Sequence, residues 1–491
     1  MFRPSFPRTF VAALVLALVG LLRAALSAAE PASPVQNLLF AADDPADLRA
    51  RLLAHADSVS ADALDAGEAW YWAGVSWERA GHADSALVAF GRARALRGNL
   101  EETLAEIDLR IARRSAGDLD SAAALAARLA AQPLGRLTDE VRLRDAWIRT
   151  QRGDAAALSP ILDARRSPLF RPHAGIARRP LWAWRFAPLA LAAGDGDAAW
   201  RLASPLVADT RGRDPEVTRL ARAASVGRPI GTDYDHWQQS AILRADTTEL
   251  AGLVGLGARL LTVKAEDGAA LAAWYLPGPR EAPIAVVTAP IEGEALVACD
   301  SLIVQLRRGG LAVVLLDPRG VRRSASATEP AALLRTDGQD GTQRRLARDL
   351  SVTLSVAARA AGTASPRGLA VGVGPAAMAA VLASADDPRL LAVLLAGPEI
   401  APTERGWLRA TLARSGTPAF FESGPENVFE NLAIERIVAE LPPTQTRVAD
   451  SRMPGHGAAL FRADAAEGGR VTAWLAGILK RPRATPPSRP R

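Results

Sequence analysis

The sequence predicts two folded parts of different class: an all-α N-terminal half built as a helical solenoid, and an α/β C-terminal half with a mostly parallel sheet. Three observations predict it. A phrase of Gly, a polar pair and an Ala-rich run recurs between residues 45 and 225, with its glycines at Gly81, Gly117, Gly153 and Gly194 and intervals of 36, 36 and 41 residues, a period suited to stacked helix pairs. From about residue 255 short apolar runs alternate with helix-length segments, the rhythm of strand-helix-strand units. The chain is also 491 residues long, more than one hydrophobic core serves at ~100–200 residues per domain.

Residues 1–29 read as a secretory signal, with Arg3 and Arg8 as the charged start, Val11 to Leu22 as the apolar core and Ser27-Ala28-Ala29 as a small-residue cleavage site. This predicts export to the periplasm or the extracellular space, with an uncleaved N-terminal membrane anchor as the other reading. Cys299 is the only cysteine, so no internal disulfide forms and the thiol is expected as a buried small hydrophobe. The net charge is +6, and Lys264 and Lys480 are the only lysines among basic groups that are otherwise Arg. These are scattered among Asp and Glu without interleaved aromatics, which argues against nucleic-acid binding. No His, Cys, Asp or Glu grouping has metal-ligand spacing and no phosphate loop is present, so neither metal nor cofactor is expected.

Residues 30–228 form the predicted helical half. Its first unit carries Trp70, Ala73, Gly74, Trp77, Ala86, Phe90 and Ala93. The small residues let two helices approach, and Trp77 and Phe90 fill the space beside them. At these offsets the unit resembles a tetratricopeptide repeat, with Gly98 where a repeat often ends in Pro. The resemblance implies a protein or peptide partner bound along the array. Trp182-Ala-Trp184-Arg-Phe186 is expected as helix core. Residues 229–254 are read as a connecting helix or linker.

The C-terminal half spans residues 255–480. It opens with a hairpin, Arg259–Lys264 and Ala269–Tyr275 around Asp267-Gly268. Strand Ile284–Thr288, a helix over 295–308, strand Leu311–Leu316, a helix over 341–361, strand Leu369–Val371, a helix over 375–384, strands Leu390–Leu395 and Ala419–Phe421, and a last amphipathic helix ending near Leu479 follow in order. Residues 481–491 are expected to be a disordered basic tail.

The richest stretch is Leu369-Ala-Val-Gly372-Val-Gly374-Pro375-Ala376-Ala377, an apolar strand running into a Gly-rich turn and a small-residue helix. It resembles the G-x-S-x-G turn of the α/β-hydrolases, and the resemblance covers roughly residues 255–480. In that family the turn presents the catalytic Ser, and the next residue lends its N–H to the oxyanion hole. Here Gly374 stands in the place of the Ser, and Pro375 has no N–H. Asp317-Pro-Arg319-Gly320-Val-Arg-Arg-Ser324 resembles the D-x-R-G-x-x-x-S segment after the fourth strand, and Asp317, Arg319, Gly320 and Pro375 are the candidate binding residues. Gly424-Pro-Glu426-Asn427 lies where the family carries its acid, so Glu426 is the candidate acid, or Asn427 after a one-residue shift. His456, the only His after residue 236, matches the general base. Ala289-Pro-Ile-Glu-Gly293 lacks the His-Gly opening common among relatives. Ser301, Ser324, Ser423 and Cys299 are the remaining nucleophiles, none of them following a strand in such a turn.

Loss of a Ser nucleophile costs about 10⁶ in turnover and loss of one oxyanion donor about 10²–10³. The expectation is therefore an exported repeat protein whose hydrolase-like domain is catalytically inactive. It would act as a binding or scaffolding module, with a small-molecule ligand possible in the relict pocket. The alternative is an active serine-type esterase, lactonase or peptidase using a displaced nucleophile with His456 and Glu426.

Overall fold

The computed structural model describes residues 33–132, 138–163, 169, 179–228, 233–288, 299–324, 330–425, 427–450, 457–463 and 465–479. The expected signal, the basic tail, Glu426 and His456 lie outside these residues. Among the described residues no helix is long and apolar enough to cross a membrane.

The N-terminal half is a succession of helices: α1 (Pro34–Ala41), α2 (Pro45–Ser58), α3 (Ala63–Arg79), α4 (Ala83–Arg97), α5 (Leu100–Arg113), α6 (Asp118–Ala130), α7 (Thr138–Gln151), α8 (Arg179–Ala192), α9 (Gly196–Asp209), α10 (Pro215–Ala224) and α11 (Tyr234–Gly255). Asp44, Asp62, Asp195, Asp214 and Asp233 start helices by accepting hydrogen bonds from first-turn N–H groups, which supplies donors that would otherwise be unpaired. The glycines of the recurring phrase, Gly81, Gly117, Gly153 and Gly194, all take positive φ, from +77° to +94°, so one turn type recurs. Neighbouring helices pack on one another from α2 through α7 and from α8 through α10, and α11 packs on α9. In the first of these units a Cβ on Gly74 would sit 2.6 Å from the Phe90 ring, so the α3–α4 approach depends on a residue without a side chain. Trp182 and Phe186 lie in the helical core, their rings 5.6 Å apart, as expected.

The C-terminal half is one eight-stranded sheet: β1 (Arg259–Lys264), β2 (Ala270–Leu276), β3 (Ile284–Thr288), β4 (Ala312–Leu316), β5 (Gly368–Val373), β6 (Leu390–Ala396), β7 (Ala419–Ser423) and β8 (Thr446–Asp450). The spatial order is β1-β2-β4-β3-β5-β6-β7-β8. The β1–β2 and β2–β4 pairs are antiparallel and every other pair is parallel. Side chains alternate between two cores. Val286, Val314 and Ala370 face a layer made by α13 (Pro330–Ala361), α14 (Ala377–Asp386), α15 (Arg405–Ser415) and α16 (Val428–Ala439). Val287, Leu315 and Val371 face α12 (Asp300–Arg308) and α17 (Ala465–Leu479), with Cys299 fully buried among them. Burial on both faces explains the unbroken apolar runs of β3, β4 and β6.

Five elements depart from the sequence reading. β8, α15 and α16 were not expected. The helix expected over 341–361 extends back to Pro330 through a break at Gly338, with φ +65° and ψ 176°. The helix expected from residue 375 is a 3₁₀ turn over Gly374–Ala376 followed by α14.

Two of the places where the two halves meet among the described residues carry side-chain contacts of note. At one, α1 lies on α15 and buries Phe40 in the sheet core, with the Arg405 and Arg436 guanidinia 5.3 and 4.1 Å from its ring centre. Beside it, a Cβ on Gly338 would fall on the carbonyl oxygen of Arg79 and 2.7 Å from Gly81 N, so the end of α3 abuts the break in α13. At the other, Arg213 donates to the Arg323 carbonyl oxygen (2.7 Å), and Asp246 of α11 pairs with both Arg211 and Arg323.

Candidate active site at the carboxyl ends of the strands

β5 sits in the middle of the sheet and delivers the chain to Gly374, which has φ +55°. The turn is tight because Gly372 lets α14 close on the strand: a Cβ there would lie 2.9 Å from Ala376 O, Ala377 Cα and Ala380 Cβ. Gly374 has no such constraint. Among the described residues a Cβ at 374 would meet only Glu399, with Oε1 at 3.5 Å, an ordinary van der Waals contact. Glu399 follows β6, and its N–H donates to the Gly374 carbonyl oxygen (3.1 Å). Thus, among the described residues, the nearest group to the side-chain position at the end of β5 is an exposed carboxylate.

Pro375 is held from behind. Gln343 of α13 donates through Nε2 to the Pro375 carbonyl oxygen (3.1 Å) and lies 3.5 Å from Glu404 Oε1. Glu404 also accepts from Ala401 N at 3.3 Å. Arg79 of α3 pairs with Glu404 and with Asp340 (3.2 Å). Burial pushes both carboxyls above their ordinary range despite Arg79, because desolvation disfavours the charged form. The helical half thus inserts a guanidinium into a buried carboxylate pair one hydrogen-bonded residue away from the Gly374-Pro375 turn.

The segment after β4 forms a separate framework. Asp317 N donates to Ala272 O (3.0 Å), while Ser324 Oγ donates to Asp317 O (2.6 Å) and accepts from Ala272 N (2.9 Å). Gly320 turns the chain at φ +73°. Arg319 binds both oxygens of Asp349 (2.6 and 2.7 Å) and both of Asp267 (2.7 and 3.1 Å). The Arg319 hydrogen bond holds Asp267 down to about 2, whereas burial pushes Asp349 up. Arg319 therefore ties the β1–β2 turn to α13 and the β4 loop.

Ser324, then, has its hydroxyl committed in both directions. Ser423, at the end of β7, is buried and hydrogen-bonded to Asn431, which in turn donates to Gly424 O (3.0 Å). Cys299 is buried and Ser301 lies on α12. Of the expected base and acid, the described neighbours are Gly457, Pro425 and Asn427. A Cβ on Gly397 would fall on Gly457 N, so the chain leaving the His456 segment presses on the end of β6. Asn427 begins α16. Among the described residues no group of three His, Cys, Asp or Glu could hold a metal ion.

Glu399, Gln343, Glu404 and Arg79 were not singled out from the sequence. For Glu399 a signal existed. β5, β6 and β7 each run into Gly-Pro, at Gly374-Pro375, Gly397-Pro398 and Gly424-Pro425, and the last two continue with Glu. Three adjacent parallel strands therefore end on a residue with no N–H to offer.

The strand order, with β2 alone running against its neighbours and helices on both faces, is that of the α/β-hydrolase fold. No protein-family model matches the chain, and no curated protein matches it. Solved structures that resemble it include an esterase of Pyrococcus furiosus, 13% identical, covering 47% of this chain and 95% of that one at a TM-score of 0.37. A dienelactone hydrolase from Anabaena variabilis is 17% identical, over 45% of this chain and 97% of that one, at a TM-score of 0.37. A CIB-like hydrolase from Thermoplasma acidophilum is 14% identical, over 45% and 98%, at 0.35.

Proposed function

We propose that the chain is a binding or scaffolding module in which a hydrolase-type domain has given up hydrolysis. The observation that carries this reading is the turn at Gly374-Pro375, where the sequence has neither the nucleophile nor the oxyanion N–H and where Glu399 is the nearest group among the described residues. Ester or amide hydrolysis develops negative charge on the carbonyl oxygen. A carboxylate about 4 Å from that charge opposes it by roughly 1–4 kcal/mol between fully solvated and surface-like screening, which adds to the larger loss from the absent Ser. Ser324 and Ser423 are held by hydrogen bonds that build the framework, so neither is free to replace it. In this reading the helical half is a tetratricopeptide-like solenoid that receives a protein or peptide, and the chain works after export.

A fluorophosphonate probe and a panel of p-nitrophenyl esters test the catalytic part. The expected result is no labelled Ser and no turnover above the Gly374→Trp variant. Labelling at any Ser that disappears in His456→Ala would establish the active-hydrolase alternative, with Glu426 as the acid to test next. For the export reading, the N-terminal residue of the purified protein from a native membrane-enclosed fraction should follow Ala29.

A further inference from the structure

One cavity lies away from the Gly374 turn. It is a groove of about 760 Å³ between the last two strands and α17. Pro418, Pro443 and Thr444, at one end of it, precede β7 and β8, so it opens toward the amino ends of those strands while Gly374 lies past the carboxyl end of β5. Its floor is apolar. Phe420 and Trp474 meet edge to face with ring centres 5.2 Å apart, and Ile478 and Ala449 continue the surface.

Two features give the groove a chemical preference. Arg447 is opposite Phe420 in the β7–β8 ladder, and directly paired residues project from the same face of a sheet, so its side chain stands over the floor. It is exposed, and its guanidinium has no hydrogen bond or ion pair with any described residue. Arg470 also lines the groove, and no described Asp or Glu does. The groove is also kept open. Residues 470, 473, 474, 477 and 478 recur at the spacing of one helix face, and a Cβ on Gly477 would meet nothing within 4 Å. Packing does not require glycine there, yet any larger residue would stand in the groove.

We propose that this groove binds a small amphipathic carboxylate, with an aromatic or alicyclic body on Phe420 and Trp474 and its carboxylate on Arg447. The apolar floor needs a body that leaves water, and a planar guanidinium matches a carboxylate in a two-point hydrogen bond. The site shares no residue with the Gly374 turn and stands whether or not that turn is inert.

Calorimetric titration of the full chain with 1-naphthoate, and with neutral 1-naphthalenemethanol for comparison, tests it. The expected result is one-to-one binding of naphthoate, at least about tenfold tighter than the alcohol, since one charged hydrogen-bonded pair in a half-open site is worth about a decade in affinity. Arg447→Glu should weaken naphthoate at least about tenfold by the same reasoning, and Gly477→Leu should remove binding while leaving the circular dichroism spectrum and Tm unchanged. Equal affinity for acid and alcohol would overturn the carboxylate preference. Unaltered naphthoate binding in either folded variant would overturn the location, and no binding to the parent protein at millimolar naphthoate would overturn the site.

Discussion

The helical half and the sheet half solve the same problem, burying charge beside a core, in opposite ways. In the helices the pairs tie successive turns of the array: Arg110 reaches Glu106 in its own helix and Asp118 in the next, and Arg144 reaches Glu140 in its own helix and Asp108 two helices back. In the sheet half Arg319 joins the β1–β2 turn to α13 through Asp267 and Asp349, 52 and 30 positions away. Where the two halves touch, the separations are largest, with 261 and 325 positions between Arg79 and its two carboxylates. A helical array can therefore assemble from its own sequence neighbourhood, whereas the floor of the Gly374 turn exists only when α3, α13 and the loop after β6 have all arrived.

The contrast is broken most severely at the seam. Gly338→Ala should cost about 3–5 kcal/mol, because the new methyl collides with the Arg79 carbonyl oxygen and must also adopt positive φ. Calorimetry should then show the two halves melting separately instead of together. Arg79→Ala should cost about 3–5 kcal/mol by leaving two buried carboxyls without their cation. Burial raises both pKa values and Arg79 opposes that rise, so removing Arg79 makes protonation of these carboxyls still more favourable in the folded state. The deficit in Arg79→Ala should therefore shrink as pH falls through the carboxylate range, and chemical denaturation at several pH values reads this out.

Within the turn itself, two glycines two residues apart should behave differently. Gly372→Ala meets backbone and a helix side chain at 2.9 Å and should lose about 2–3 kcal/mol. Gly374→Ser has space beside Glu399 and bears only the positive-φ penalty, about 1–2 kcal/mol. Urea midpoints that reverse this order would contradict the turn geometry. The smallest effect belongs to Asp267. Its folded pKa is lowered from 3.8 to about 2 by Arg319, so its contribution is complete above pH 3.8 and is lost as pH falls through about 2. With its side chain 38% exposed, solvent screening reduces that contribution to about 1 kcal/mol. Asp267→Asn should be less stable than the parent by this amount at neutral pH and equal to it below about pH 2.

The same local-versus-distant contrast decides what the sequence disclosed. The recurring glycines all became turns of one kind, because a turn is settled by the residues that make it. The apolar runs of β3, β4 and β5 announced themselves because both faces of a central parallel strand are buried. Thr-Arg-Val-Ala-Asp, the whole of β8, carries no comparable run, since an edge strand keeps polar side chains. Gly374 and Pro375 were legible in one turn. Glu399 and Arg79 were not, because their position beside that turn depends on sheet order and on the docking of α3. The groove beside Trp474 was equally hidden: one wall of it, Thr446 to Ala449, belongs to β8.

The placement of α1 sets an order of events during synthesis. Phe40 finds its apolar surroundings, and Asn37 its Arg436 partner 399 positions later, only when nearly the entire polypeptide has been made. Until then this aromatic segment is an unsatisfied sticky end, the kind of exposed surface that holdase chaperones and proteases recognise. A ribosome that stops short of residue 436 releases a product marked for disposal by Phe40 and the helix that carries it.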